Sequence, residues 1–517
     1  MPQQLPGITV GSASKSIAGT GTAVDRTRTV WILGAAAFAL SASLMLLHRP
    51  WTRTEGGDEA IWDYVAQCIL RGQVPYRDVV EIKAPLSAYL GAAAMFIGKS
   101  AGVRDIIAVR MLNVLMAGVL SAVTFVVGAT YLRSRLAAVL AFLIALAPSH
   151  FAEWIGAGTE PKLPMILFGM ISLLLVARHK PFLAGFFSML SCLCWQPGLL
   201  FSGVVLLIFS RYLTSWRDPA VMKAALGALV PLTVMVLYFS LVGALSDLWK
   251  WTIAYNFRVY APETMRSLRD TIVLLWKVSF RVFKFDLVFV ALAFVGFIIF
   301  AIERVRAGYR SGFFSRESDS FRDALLISPL IYLGFCLVNF QSGPDLIPLF
   351  PFIGLFAGWC LVNAGGKRMW LGFARPLPVL ALIALTGLIV SRAVTYRVDS
   401  GLTLQDQDKH VAAIGALLGP EDRFYVHGAV EIPVLLNKPN LNPYIYLDRG
   451  KDDWVARRMP DGFRAVIGEM ETQAPKVVVI SRIGKMAHRT ELEQWVEEHY
   501  VKIGLAGLDG IYLRKQK

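Results

Sequence analysis

Apolar residues in this chain come in long, nearly uncharged runs separated by short polar connections. Eleven runs predict helices, at about 30–47, 107–131, 135–150, 163–178, 182–195, 198–212, 222–243, 286–302, 324–340, 346–363 and 375–392. A bilayer core of roughly 30 Å takes about 20 apolar residues per helix, and the longer runs reach that length. The runs at 182–195 and 198–212 are split only by Trp195, Gln196 and Pro197, which predicts a tight hairpin turn. A β-barrel would instead show short segments of alternating hydrophobicity. The pattern predicts an α-helical polytopic membrane protein of about eleven transmembrane helices.

The connections predict its sidedness. With the N-terminus (Lys15, Arg26, Arg28) in the cytoplasm, the connections on that side carry Arg133 and Arg135; Arg178 and Lys180; Arg211, Arg217 and Lys223; Arg304, Arg306, Arg310, Arg316 and Arg322; and Lys367, Arg368 and Arg375. Every one is basic, as the positive-inside rule requires. Four segments then face outward: 48–106, 151–162, 244–285 and a tail from about 395. In the tail, DRFYVHG and KVVVIS read as short buried strands, and DGFRAVIGEMET and RTELEQWVEEHY as amphipathic helices. That alternation predicts a soluble extracytoplasmic α/β domain over 395–517, following a transmembrane module over 29–394.

Composition agrees. Hydrophobic residues make up 55% of the chain and charged residues 17%, which excludes an ordinary soluble domain. The net charge of +15 would suggest nucleic acid in a soluble protein; here the cytoplasmic connections account for it, and no nucleic-acid partner is expected. The five cysteines show no framework spacing, and four lie in apolar runs, which argues against a disulfide scaffold. Residues 1–28 are rich in Gly, Ser and Thr and predict a disordered cytoplasmic segment without a cleavable signal.

The first outward segment carries the densest candidate chemistry. In GGDEAIWDYVAQCILRGQVPYRDVVEIKAPLSAYL, Gly56 to Leu90, the apolar residues Ile61, Tyr64, Val65, Cys68 and Ile69 recur at helical spacing, and Gly72 is placed to end that helix. Pro75 forces an extended connector bearing Asp78, Glu81 and Lys83, and Pro85 opens a second helix. Both helices are apolar on one face and too interrupted to span, which predicts that they lie along the membrane surface. Asp58 suits a helix N-cap and Glu59 the helix dipole, a purely structural alternative for both acids.

This segment resembles the first external loop of the GT-C glycosyltransferases, which include the protein O-mannosyltransferases, the aminoarabinose transferases acting on lipid A, and many bacterial relatives. In that family an Asp-Glu pair follows the first transmembrane helix, then a Pro-Tyr-Arg-Asp segment, then an acid-x-Lys-Pro-Pro turn. Here these are Asp58-Glu59, Pro75-Tyr76-Arg77-Asp78 and Glu81-Ile82-Lys83-Ala84-Pro85. Ala84 replaces a common proline, and Ile82 stands where histidine is frequent, which removes one metal ligand.

The resemblance implies an inverting glycosyltransferase of the bacterial plasma membrane. It would move a sugar from a polyprenyl-phosphate donor to a hydroxyl of a glycan, lipid or protein acceptor on the outer face, among membrane lipids. It implies Asp58 as general base, with Glu59, Asp78, Glu81, Lys83, Glu160 and Asp345 orienting acceptor or phosphate. No cofactor is fixed by it, and a divalent metal stays open. The chemistry fits: a sugar hydroxyl needs a base to become a nucleophile. The leaving phosphate is already an anion, so it needs positive charge rather than a general acid.

The segment 244–285 is basic on the side where the rule predicts few cations: Lys250, Arg258, Arg266, Arg269, Lys277, Arg281 and Lys284 against Asp247, Glu263 and Asp270. Arginine forks suit phosphate oxygens, and Arg258 and Arg266 are the candidates for the donor phosphate. A solvated amphipathic stretch touching anionic headgroups is the alternative. Glu160 in HFAEWIGAGTEPK has helix capping or interface anchoring as its competing explanation, and Asp345 in NFQSGPDLIPLFP has a helix-dipole effect. No nucleotide-binding glycine loop is present, since GAGTEPK lacks the strand and the Gly-Lys-Ser/Thr ending. A transporter and a non-catalytic scaffold of the same fold are the competing functions; the near absence of acids within the runs and of an inverted repeat argues against transport.

Overall fold

A computed structural model of the chain describes residues 20–210, 215–311, 317–364, 376–395, 401–505 and 508–516. Parts of the cytoplasmic connections expected at 211–223, 303–322 and 362–375, namely 211–214, 312–316 and 365–375, therefore lie outside the described residues, as does 1–19. Helix α1 (Thr20–Leu47) begins inside the segment expected to be disordered, which corrects that reading for Thr20 to Arg28.

Within the described residues, all eleven apolar runs are mainly helical. After α1 come α2 (Gly57–Leu70) and α3 (Leu86–Ser100), both from the first outward segment. The bundle continues with α4 (Asp105–Tyr131), α5 (Arg135–Leu146), α6 (Ser149–Ile155), α7 (Lys162–Ala177), α8 (Pro181–Cys194), α9 (Leu199–Phe209) and α10 (Pro219–Leu241). Among the described residues, seven helices are long and apolar enough to cross a membrane, and an eighth span results if α5 and α6, bent by 66°, count as one. The helices at Lys162–Ala177, Pro181–Cys194 and Gln196–Phe209 are shorter. At 1.5 Å per residue none of these three covers a core of about 30 Å alone, which is why counting apolar runs gives more spans than length does. Small residues set the closest approaches: a Cβ at Gly185 of α8 would strike the Ala224 carbonyl of α10, and one at Gly227 the Phe182 carbonyl.

Segment 244–285 is not an open loop. It folds as α11 (Leu245–Trp249), a π-helical stretch (Lys250–Tyr260), α12 (Ala261–Thr264) and α13 (Leu268–Phe283), and runs on into α14 (Leu287–Ser311). On α13 the ridge Leu268, Ile272, Trp276 and Phe280 is exposed beside a second ridge with Arg269, Lys277 and Arg281, the arrangement of an interfacial helix. Helices α15 (Glu317–Asn339), α16 (Phe350–Ala364) and α17 (Leu377–Thr395) complete the bundle.

The tail forms α18 (Leu404–Gly415), β1 (Phe424–His427), α19 (Glu431–Leu436), α20 (Lys451–Ala456), α21 (Phe463–Gln473), β2 (Val477–Ile480), α22 (Arg489–His499), β3 (Tyr500–Leu505) and β4 (Leu508–Arg514). The sheet order is β1-β2-β4-β3, with β1 parallel to β2 and the other pairs antiparallel. Alternate residues of a strand face opposite sides. Phe424, Val426, Val477 and Val479 pack with Val411, Ile414 and Ile511 on one face. On the other, Tyr425, Val478 and Ile480 join a core shared with Tyr76, Val80, Ile82, Trp251 and Tyr255. The sheet therefore packs directly on the first outward segment and the π-helical stretch. Direct bonds add to this: Asn440 N donates to the Tyr64 hydroxyl at 2.6 Å, and Val80 N to the Pro443 carbonyl at 3.0 Å.

Candidate active site

Helix α2 starts two residues earlier than a capping Asp58 requires. Gly56 is its N-cap and Gly57, at φ 71°, its first residue, which places Asp58 and Glu59 in the first turn. Asp58 makes no side-chain hydrogen bond among the described residues, and its carboxylate is exposed. The capping alternative for Asp58 is thereby set aside. Gly72, at φ 83°, follows the last turn as expected.

The connector after α2 is pinned at three consecutive residues. The Glu81 carboxylate folds back to accept the N–H groups of Ile82 (2.8 Å) and Lys83 (2.7 Å). The Ile82 carbonyl accepts from Gln196 of the predicted hairpin turn and from Asn256 of the π-helical stretch, both at 2.8 Å. The Lys83 carbonyl accepts from Tyr76 Oη at 2.7 Å. Glu81 is 3% exposed, and its second oxygen is buried without a partner among the described residues. Burial pushes its pKa up, against the pull of those two N–H groups and of Lys83 and Lys451.

These residues wall one side of a solvent-open cleft of about 650 Å³, part of it open solvent. Asp58, Trp62, Glu81, Ile82 and Lys83 come from the first outward segment, and Tyr260 from the π-helical stretch. The opposite wall is the C-terminal unit: His427, Tyr446, Asp448, Arg449, Lys451 and Arg482. His427 is fully buried and works as a brace. Its Nε2 accepts the Leu447 N–H at 2.9 Å, so Nδ1 carries the proton and donates to the Ser481 carbonyl at 3.1 Å. Burial lowers its pKa to about 4, which leaves it neutral and unsuited to carrying protons. Lys451, 1% exposed, reaches Asp448 Oδ1 at 3.0 Å and lies 4.1 Å from the Tyr446 ring centroid.

A second polar cluster lies beside Asp58. Lys162 Nζ is 3.1 Å from Glu160 Oε1 and 3.8 Å from Asp345 Oδ1, and all three side chains are buried. Asp345 also accepts from the N–H groups of Gln341 (2.7 Å) and Ser342 (3.1 Å), closing a capping box before α16. The Lys162 ammonium lies 5.0 Å from the centroid of Trp195, and the Lys83 ammonium 5.2 Å from the same ring. Glu59 adjoins this cluster. Burial, and after it the repulsion of Glu160, pushes its pKa up to about 8.

Of the residues singled out in the sequence, Asp58, Glu81 and Lys83 line the cleft, and Glu59, Glu160 and Asp345 gather beside it. Asp78 stands apart: it pairs with Arg77 at 2.8 Å and accepts from Val74 N at 2.7 Å, shaping its own turn. Arg258 is exposed on the π-helical stretch, and Arg266 donates to the Phe340 carbonyl at 2.8 Å; neither lines the cleft. Sequence reasoning missed the entire C-terminal wall, together with Lys162 and Trp195. The available signals were positions at or just past the end of a strand, His427 closing β1 and Arg482 two residues after β2, and a charged turn at Gly450. Among the described residues no group of three or more His, Cys, Asp or Glu side chains is placed to hold a metal ion.

No known family profile matches the sequence, and no curated protein matches it. The structure matches the crystal structure of ArnT from Cupriavidus metallidurans bound to undecaprenyl phosphate, with a TM-score of 0.56, 13% identity, and coverage of 96% of this chain and 98% of that one. It also matches ArnT from the same organism in the apo state, with a TM-score of 0.59, 14% identity, and coverage of 94% and 98%. At such identity the likeness is one of fold. The chain is a helical polytopic membrane protein with the fold of ArnT, in keeping with the resemblance of its first outward segment.

Proposed function

We propose that this protein is a glycosyltransferase that takes a sugar from a polyprenyl-phosphate carrier and transfers it, with inversion, to an acceptor hydroxyl. Asp58 is the general base. The acceptor oxygen attacks the anomeric carbon and gives its proton to Asp58. The bond from that carbon to the phosphate oxygen breaks, and its electron pair leaves with the polyprenyl phosphate. The observation that carries this reading is the state of Asp58: a carboxylate with no hydrogen-bond partner among the described residues, lining a cleft that also holds Lys83, Arg449 and Arg482. The ArnT fold, seen with undecaprenyl phosphate bound in that protein, supports the donor class.

Lys83 meets the donor phosphate in this scheme. Glu81, anchored to its own backbone, holds the connector that presents Lys83. Glu59, Glu160 and Asp345 act around Lys162 to shape the wall next to Asp58. The cleft faces outward from the bacterial plasma membrane, and the acceptor is a glycan, lipid or protein reached from that side.

The test is turnover by purified protein supplied with a polyprenyl-phosphate sugar. Asp58→Asn should lower donor consumption by about 10²–10⁴-fold, the usual range for loss of a general base, while undecaprenyl phosphate still binds. Undiminished turnover in that variant would remove Asp58 from its role.

A further inference from the structure

We propose that the C-terminal unit supplies half of the donor site: Arg449 and Arg482 bind the phosphate oxygens of the polyprenyl carrier from the wall facing Lys83. This rests on the glycosyltransferase reading and assigns it residues that no motif in the first outward segment contains.

The charge pattern of the cleft is the first observation. Lys451 is matched by Asp448 at 3.0 Å. Arg449 is not matched in this way: its Nε lies 3.9 Å from Asp448 Oδ2, beyond hydrogen-bonding range, and among the described residues its one side-chain hydrogen bond goes to the neutral Tyr260 hydroxyl at 2.9 Å. Arg482 makes no side-chain hydrogen bond or ion pair with any described residue. A guanidinium carries five N–H donors in a planar fork, so the two arginines leave most of their donors open toward the cleft. That fork fits pairs of phosphate oxygens and strengthens its hold as charge builds on the leaving group.

The backbone is the second observation. Arg449 and Arg482 sit at φ 54° and φ 57°, in the left-handed region that residues with side chains seldom adopt. Each is held there by the element it precedes, Arg449 by Gly450 and α20, and Arg482 by the 3₁₀ turn Ile483–Lys485. Strained residues that persist in a packed unit and share one cleft point to a ligand clamp.

Placement in the sheet is the third. His427–Gly428 and Ser481–Arg482 are the residues that leave the carboxyl ends of the two parallel strands, where α/β sheets build their ligand crevices. The two exits are pressed together. A Cβ on Gly428, at φ 79°, would run into the Ser481 carbonyl and sit 3.2 Å from Arg482 Cβ. Glycine there lets the first exit pass beneath the second and leaves the Arg482 side chain on the cleft side.

The experiment measures binding of undecaprenyl phosphate to the full-length protein in nanodiscs, for wild type, Lys83→Ala, Arg449→Gln, Arg482→Gln and Arg482→Lys. Each glutamine variant should weaken binding at least tenfold, with the thermal midpoint unchanged and with Arg482→Lys recovering only part of the loss. If Lys83→Ala weakens binding and both glutamine variants bind as wild type does, the subsite is overturned while the glycosyltransferase reading stands. If wild type itself fails to bind, the functional reading falls and the subsite with it.

Discussion

Arg110 and Glu55 form an ion pair of 2.9 Å with both side chains wholly buried. The same guanidinium donates to the carbonyls of Pro50, Arg53, Thr54 and Ala157. One side chain from α4 thus ties the stretch leading into Asp58 to the outward segment after α6. Removing one partner of a buried pair leaves the other charge uncompensated. Arg110→Met should therefore destabilise the protein by about 3–5 kcal/mol. Denaturation in micelles checks this, and adding Glu55→Gln to the variant should return part of the loss.

Glu59 gives a prediction with a definite sign. Its pKa is raised to about 8 in the folded protein, mainly by burial. Between the ordinary carboxylate value of about 4.3 and about 8, the folded state holds a proton that the unfolded state has released. Stability from this group is therefore present at low pH and declines as pH rises through that window. Glu59→Gln removes the dependence. Its thermal midpoint should match wild type near pH 5 and exceed it near pH 9.

Gly428→Ala should strain the C-terminal unit by about 1–3 kcal/mol, because the new methyl group meets the Ser481 carbonyl at a left-handed backbone position. Hydrogen exchange reads the effect locally: amides at 427–430 and 481–485 should lose protection while those of α4 keep theirs.

Trp195 presents one indole to two ammonium groups, Lys83 at 5.2 Å and Lys162 at 5.0 Å. Trp195→Leu keeps an apolar, though smaller, side chain and removes the ring. A partly desolvated cation–π contact contributes about 0.5–2 kcal/mol, so donor affinity should fall several-fold. An unaltered KM for the donor would show that the ring is only packing.

Sidedness has its own check. Lys409 lies on the C-terminal unit and Arg217 on the connection before α10, and both are exposed. With a cysteine at either position, a membrane-impermeant maleimide added to intact spheroplasts should label Lys409→Cys and spare Arg217→Cys.

The apolar runs and strands β1 and β2 were legible because each is an unbroken buried stretch. Strands β3 and β4 were not. In β3, Val501 and Lys502 are exposed, so no hydrophobic run marks the strand. Helix α18 is polar along much of its length, although Thr403 and Asp406 form the capping box that could have announced it. The site divides in the same way. Asp58, Glu81 and Lys83 lie within one short segment and could be read together. Arg449 and Arg482 reach the cleft only through packing of the sheet on that segment, a relationship with no local trace in the sequence.

The joint between Tyr64 and Asn440 has a consequence for how the protein comes into being. One wall of the cleft, from Asp58 to Lys83, is translated before the helices from α4 onward, and the other, from His427 to Arg482, after α17. A nascent chain holding every span would still lack the residues that close the cavity. The cavity around Asp58 is therefore complete only once the C-terminal unit has packed onto the first outward segment.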